Sequence, residues 1–152
     1  MSAVTRLSRI ILFFSSPVEG RYISWYAAAY GYQGFLRWAY DAWPADPMRD
    51  ARHTLWPAGD CFLVYPGGSS SIRFEKLREG IVDYEKIRIL RKLASESSNG
   101  SAKDLMKEFE TQLSGFIGDR DYSKRNFDTA KMTEAVQKGK AMIEALSNTL
   151  SK

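Results

Sequence analysis

The chain has 152 residues, of which 44% are hydrophobic and 26% are charged, and this composition excludes disordered, collagen-like and disulfide-scaffold proteins. The apolar run from Ile10 to Phe14 is too short for a membrane span or a signal-peptide core, so we expect no membrane partner and leave the compartment open. A net charge of +4, from 22 basic and 18 acidic residues spread along the chain, predicts no nucleic-acid partner.

The aromatic residues divide the chain into two halves. Twelve of the twenty aromatic residues, including all four tryptophans, lie between Tyr22 and Tyr65, and all five prolines lie at or before Pro66. Only four aromatic residues follow residue 85. The distribution predicts an irregular, aromatic first half and a regular, helical second half.

In chain order, the first half mixes helix and strand signals. The apolar run over 9–14 is typical of a short buried strand, although its length does not exclude a helix. A helix is predicted over 19–30, with Gly31 as its stop. The aromatic segment 34–40 and the apolar segment 61–65 are predicted strands, separated by a loop that contains three prolines.

The second half is predicted to be helical. Apolar residues repeat at steps of three and four over 72–94, and Ser70 or Ser71 can cap this helix. A flexible linker over 95–101 and helices over 102–117 and 129–150 follow, separated by a polar loop over 118–127. Strands that alternate with helices predict an α/β architecture with appended helices.

Common catalytic motifs are absent, because the chain has no phosphate-binding glycine loop, dinucleotide fingerprint, nucleophile elbow or Cys-x-x-Cys pair. His53 lies in the proline-rich loop and is interpreted as a packing residue. Cys61 begins an apolar segment and is interpreted as a small core residue.

Residues 66–71 (PGGSSS) precede a helix. This position suits either phosphate binding or a plain turn with an N-cap. We predict no metal and no cofactor.

Four residues are the candidates for substrate binding. Asp41 directly follows the first predicted strand, at the end where α/β folds place their sites. Trp38 and Tyr40 alternate onto one face of that strand, and Trp43 follows it. The pattern has two interpretations, which it supports equally. These aromatic residues either form a crowded core or form a wall on which sugar rings stack.

Three segments in this order resemble the C-terminal end of the catalytic domain of glycoside hydrolase family 123. They are 34–46 (GFLRWAYDAWPAD), 56–66 (WPAGDCFLVYP) and 71–90 (SIRFEKLREGIVDYEKIRIL), with a looser match over 16–30 (SPVEGRYISWYAAAY). The resemblance implies four parts: an undefined segment 1–13, the C-terminal part of a (β/α)₈ barrel over 14–94, a linker over 95–101 and a helical tail over 102–152.

The resemblance also implies an activity. Family members remove terminal N-acetyl-β-galactosamine by a substrate-assisted mechanism, in which an adjacent Asp-Glu pair orients the acetamide and protonates the leaving oxygen. The chain contains no Asp-Glu dipeptide, so we expect it to be a C-terminal fragment that is inactive alone.

The resemblance implies two partners. One is the terminal sugar of a glycan, bound by Trp38, Tyr40, Asp41 and Trp43, and the other is the missing N-terminal part of the barrel. Full-length relatives are often exported.

A second group of residues matches the family's helix signature. Arg73, Glu75, Arg78, Asp83 and Tyr84 are interpreted as structural residues that tie the helix to neighbouring segments, and Gly80 is expected to permit a close approach. The alternative function is a small module that binds carbohydrate without cutting it. An interaction protein built on the helices after residue 100 is a third possibility, for which the sequence specifies no partner.

Overall fold

The computed structural model describes residues 16–117 and 128–151 of the chain. Four α-helices are present there: α1 over Pro17–Tyr30, α2 over Ile72–Glu96, α3 over Gly100–Ser114 and α4 over Thr129–Leu150. Short 3₁₀ turns cover Pro66–Gly68 and Gly115–Ile117. None of these helices is both long enough and apolar enough to cross a membrane.

Hydrogen bonds between a polar side chain and a backbone N–H mark the start of each helix. The Ser16 backbone N–H donates to Glu19 Oε1 (3.1 Å) at the start of α1. The Ser71 hydroxyl accepts from the Phe74 N–H (3.1 Å) at the start of α2. Asn99 and Asp128 cap α3 and α4 in the same way. All four predicted helices are therefore confirmed, with ends that differ by a few residues, and only 97–99 separate α2 from α3.

The four helices share one core around Trp25. This side chain is fully buried and stacks on Phe116, with ring centroids 5.5 Å apart, and it meets the edge of Phe109 at 6.3 Å. Gly139 of α4 lies directly against the indole, because a Cβ added there would come within 2.3 Å of it. Aliphatic residues of the other helices complete the core: Ile87, Leu90, Leu113, Val136, Ile143 and Leu146.

The predicted α/β architecture and the barrel portion are wrong for the described residues, which contain helices and no strand. In place of paired strands, an isolated antiparallel bridge joins Asp41, just after segment 34–40, to Phe62. A strand needs a partner along its length, and the aromatic composition that predicted these strands does not supply one. The expected irregular aromatic segment is confirmed over 31–71. The run at 9–14 and the polar loop at 118–127 lie outside the described residues.

Buried ion pairs and close packing fix α2 against the rest of the molecule. Asp83 accepts hydrogen bonds from Arg21 Nε (2.6 Å), Arg21 Nη2 (2.9 Å) and Trp25 Nε1 (2.9 Å). The Tyr84 hydroxyl donates to the Tyr32 carbonyl (2.8 Å). Arg73 Nη1 donates to the Gly59 carbonyl (3.0 Å). These contacts have the structural role that was expected for this part of the helix signature.

Candidate functional site

A cleft of about 410 Å³ lies where the irregular segment 31–71 meets the first turns of α2. Backbone pairing beside Asp41 and Phe62 joins residues 40–42 to residues 61–63, since Ala42 N–H donates to the Cys61 carbonyl (3.0 Å) and Leu63 N–H donates to the Tyr40 carbonyl (2.7 Å). The cleft is lined by Tyr40, Asp41, Trp43, Val64, Tyr65, Gly68, Ser70, Phe74, Glu75 and Arg78.

Two aromatic side chains in this wall are held in place by contacts beneath them. The Trp43 indole N–H donates to the Val64 carbonyl (2.8 Å), which fixes the ring and occupies its donor. Tyr40 packs edge-on against Phe74, with ring centroids 5.8 Å apart. Both rings keep more than a third of their surface exposed, at 41% for Trp43 and 48% for Tyr40. They are therefore available to a ligand, and they do not form the crowded aromatic core that the sequence left open.

The structure brings three of the four predicted site residues together. Tyr40, Asp41 and Trp43 line the cleft, whereas Trp38 lies outside its lining and packs against Trp56, with ring centroids 5.1 Å apart. Trp38 and Tyr40 are both about half exposed. The predicted alternation does occur, because Trp38 and Tyr40 are exposed whereas Arg37 and Ala39 are partly buried.

Buried charged residues lie close in sequence to the residues that line the cleft. Arg37 is paired with Asp60, and both side chains are largely buried. The Arg73 guanidinium lies over the Phe62 ring, 5.3 Å from its centroid, and burial lowers the pKa of Arg73. Cys61 is buried near Asp60 and Arg37, and its desolvation raises the pKa of the thiol, as expected for a core residue.

Seven of the ten lining residues lie outside the set predicted to bind substrate. Among them, Glu75 and Arg78 belong to the helix signature that the sequence predicts to be structural, and Ser70 belongs to the PGGSSS turn. The signal that could have found them is the PGGSSS turn, which brings the first turns of α2 beside residues 40–43. Sequence spacing does not show this proximity, because the two segments are about thirty residues apart.

A larger groove, of about 640 Å³, lies between α2 and α4. Ile89, Leu93, Lys86, Lys140 and Glu144 are among its lining residues, which include no aromatic side chain. In the described residues, no three His, Cys, Asp or Glu side chains are grouped as metal ligands would be. The smaller cleft is therefore the better candidate for a sugar, because indole and phenol faces stack on pyranose rings.

The family model of the glycoside hydrolase 123 catalytic domain matches residues 10–90. This chain belongs to glycoside hydrolase family 123. The match contains every residue that lines the cleft. No functionally curated protein matches the chain significantly.

A solved structure supports the same assignment for this family 123 chain. It is the family 123 glycoside hydrolase from Clostridium perfringens, described in connection with glycolipid glycan hydrolysis. The two are 25% identical with a TM-score of 0.66, and the alignment covers 92% of this chain. The chain spans only 25% of the length of that enzyme.

Proposed function

We propose that this chain supplies the sugar-binding wall of a family 123 catalytic domain that hydrolyses terminal N-acetyl-β-hexosaminides. The observation that carries the proposal is the cleft itself, in which Tyr40, Asp41 and Trp43 face a cavity inside the region that matches the family. The apolar face of a sugar ring would pack on Trp43 and Tyr40. The Asp41 side chain would accept a hydrogen bond from a ring hydroxyl.

The chemistry itself requires groups that the chain does not contain. In the substrate-assisted mechanism that the family resemblance implies, the acetamide oxygen attacks the anomeric carbon, an Asp orients the acetamide and the adjacent Glu protonates the leaving oxygen. The sequence has no Asp-Glu dipeptide. We therefore expect the chain to bind sugar without cleaving it. The loss of a general acid by itself lowers the rate of a catalysed reaction by about 10²- to 10⁴-fold.

The remainder of a family 123 catalytic domain is the proposed protein partner. Large apolar side chains are exposed within the segment that matches the family, including Leu36 (80%), Leu55 (81%) and Met48 (70%). The proposed partner would cover these side chains and remove their apolar surface from water. The relative from Clostridium perfringens has about four times the matched length in one chain, which supports this partner.

The test has a binding arm and an activity arm. Methyl N-acetyl-β-galactosaminide is expected to change the tryptophan fluorescence of the chain, and Trp43→Ala is expected to abolish the binding. An aryl N-acetyl-β-galactosaminide is expected to remain uncleaved by the chain alone. Joining the chain to the N-terminal remainder of a family 123 catalytic domain should restore hydrolysis. Turnover by the isolated chain, or no hydrolysis of any aryl hexosaminide by the joined protein, would contradict the proposal.

A second candidate function is a carbohydrate-binding module that acts without any catalytic partner. The closed core around Trp25 favours it, because the four helices bury this residue without help from another chain. Under this alternative, the chain binds sugar as a monomer with the same affinity in the presence and absence of the rest of the domain. A large gain in affinity on joining would contradict the alternative.

A further inference from the structure

One edge of the cleft is formed by a carboxylate and a guanidinium from the start of α2. Arg78 Nη1 lies 3.0 Å from Glu75 Oε2 and 3.3 Å from Glu75 Oε1. The Ser70 hydroxyl donates to Glu75 Oε1 from the other side. The two charged side chains are 46% and 62% exposed, so a ligand in the cleft can reach both.

This edge can bind the hydroxyl groups of a sugar, which the aromatic wall does not bind. A sugar that stacks by its apolar face projects its hydroxyl groups sideways, and the Trp43 N–H is already bonded to Val64. Each hydroxyl both donates and accepts hydrogen bonds, whereas a carboxylate only accepts and a guanidinium only donates. A paired carboxylate and guanidinium therefore match two adjacent hydroxyls, such as those at C3 and C4 of an N-acetylhexosamine.

The charges of the cleft favour a neutral sugar. Hydrogen bonds from Ser70 and the charge of Arg78 hold the pKa of Glu75 below its usual range, so this side chain is an anion at neutral pH. Asp41 adds a second carboxyl side chain to the lining, against the single guanidinium of Arg78. An acidic sugar would thus meet more negative than positive groups.

We infer that Glu75 and Arg78 bind adjacent hydroxyl groups of a neutral sugar stacked on Trp43 and discriminate against acidic sugars. The inference rests on the proposed carbohydrate site and adds two specificity-determining residues to it. It gives the start of α2 a second role besides packing.

The test compares matched variants of the full chain with methyl N-acetyl-β-galactosaminide as the probe. Glu75→Gln and Arg78→Met are each expected to weaken binding about tenfold, because Gln offers only a neutral acceptor and Met offers no donor. Glu85→Gln is the control, since Glu85 and Arg88 form a pair of the same spacing and similar exposure on α2 outside the cleft lining. This control should bind as the unchanged chain does, and circular dichroism should show all variants folded.

The outcomes separate this inference from the proposed function. If Trp43→Ala abolishes binding while Glu75→Gln binds normally, the inference is overturned and the sugar site stands. If the unchanged chain binds no sugar, both fail.

A second pair of probes tests the preference for charge. Methyl β-galactoside and methyl β-galacturonide differ only at C6, where the second carries a carboxylate. The unchanged chain should bind the neutral probe more tightly than the acidic probe. In Glu75→Gln, the affinities for the two probes should be closer to each other. Equal affinities for the two probes in the unchanged chain would overturn the discrimination.

Discussion

At the scale of single residues, the buried face of α2 departs from its hydrophobic pattern. The apolar repeat predicts that Ile81 faces the core, yet Ile81 is exposed while Gly80 and Asp83 are buried. Asp83 is buried because Arg21 and Trp25 satisfy its carboxylate, and these partners are about sixty residues away in sequence. A hydropathy pattern does not contain that information.

Asp83→Ala is expected to destabilise the fold strongly. The change leaves the Arg21 guanidinium without its main partner and removes the acceptor of the buried Trp25 indole N–H. Breaking a buried ion pair in this way costs about 3 kcal/mol, which for a chain of this size lowers Tm by roughly 6–12 °C in a thermal melt.

Glu79→Gln is the matched control for that prediction. Glu79 also accepts from Arg21, at 2.8 Å, but its side chain is 39% exposed. The loss of such an exposed pair is expected to cost less than about 1 kcal/mol. If Asp83→Ala and Glu79→Gln lowered Tm by the same amount, burial of the Asp83–Arg21 pair would not increase its contribution to stability.

At the scale of elements, α1 and α2 approach closely where α2 carries a glycine. A Cβ on Gly80 would lie 2.7 Å from the Arg21 carbonyl oxygen and 2.8 Å from Ser24 Oγ. The expected close approach at Gly80 is confirmed.

Gly80→Ala is therefore expected to lower the free energy of unfolding by about 1–3 kcal/mol, because the backbone of α1 must move. This loss would occur although alanine favours a helix by about 1 kcal/mol over glycine. Urea denaturation measures it as a lower midpoint at an unchanged slope.

Gly100→Ala serves as the comparison, since nothing lies within 4 Å of a Cβ at the first residue of α3. It should leave the midpoint unchanged or raise it slightly. A Gly80→Ala protein as stable as the unchanged chain would contradict the packing of α1 on α2.

At the scale of the whole molecule, the last two helices complete the core that the first two begin. Phe109 and Leu113 of α3 and Val136 and Leu146 of α4 are buried in the same cluster as Trp25. Removing α3 and α4 would expose the Trp25 indole to water. The division of the chain at 95–101 remains a prediction from the sequence.

Because the core is shared, the chain is expected to unfold in one cooperative transition. Helical circular dichroism and tryptophan fluorescence should then give the same midpoint, and the calorimetric and van't Hoff enthalpies should agree. Two resolved transitions would instead support independent units on either side of residues 95–101.

The helices were predictable from the sequence because their signals are local. The Ser71 cap, the apolar repeat of α2 and the Asp128 cap each act within a few residues, and α4 occupies the range that was predicted for it. The family resemblance likewise needed only three ordered segments. The residue pattern at 38–43 predicts Trp38, Tyr40, Asp41 and Trp43 as candidates, and all of these except Trp38 line the cleft.

The tertiary structure decided the rest, because it depends on contacts between distant segments. Whether 34–40 forms a strand depends on a partner, and only the single bridge at Asp41 is present in the described residues. The cleft exists because this bridge and the docking of α2 bring Trp43, Glu75 and Arg78 to one cavity. The sequence determined the helices and the family, whereas packing across the chain determined which side chains face a ligand.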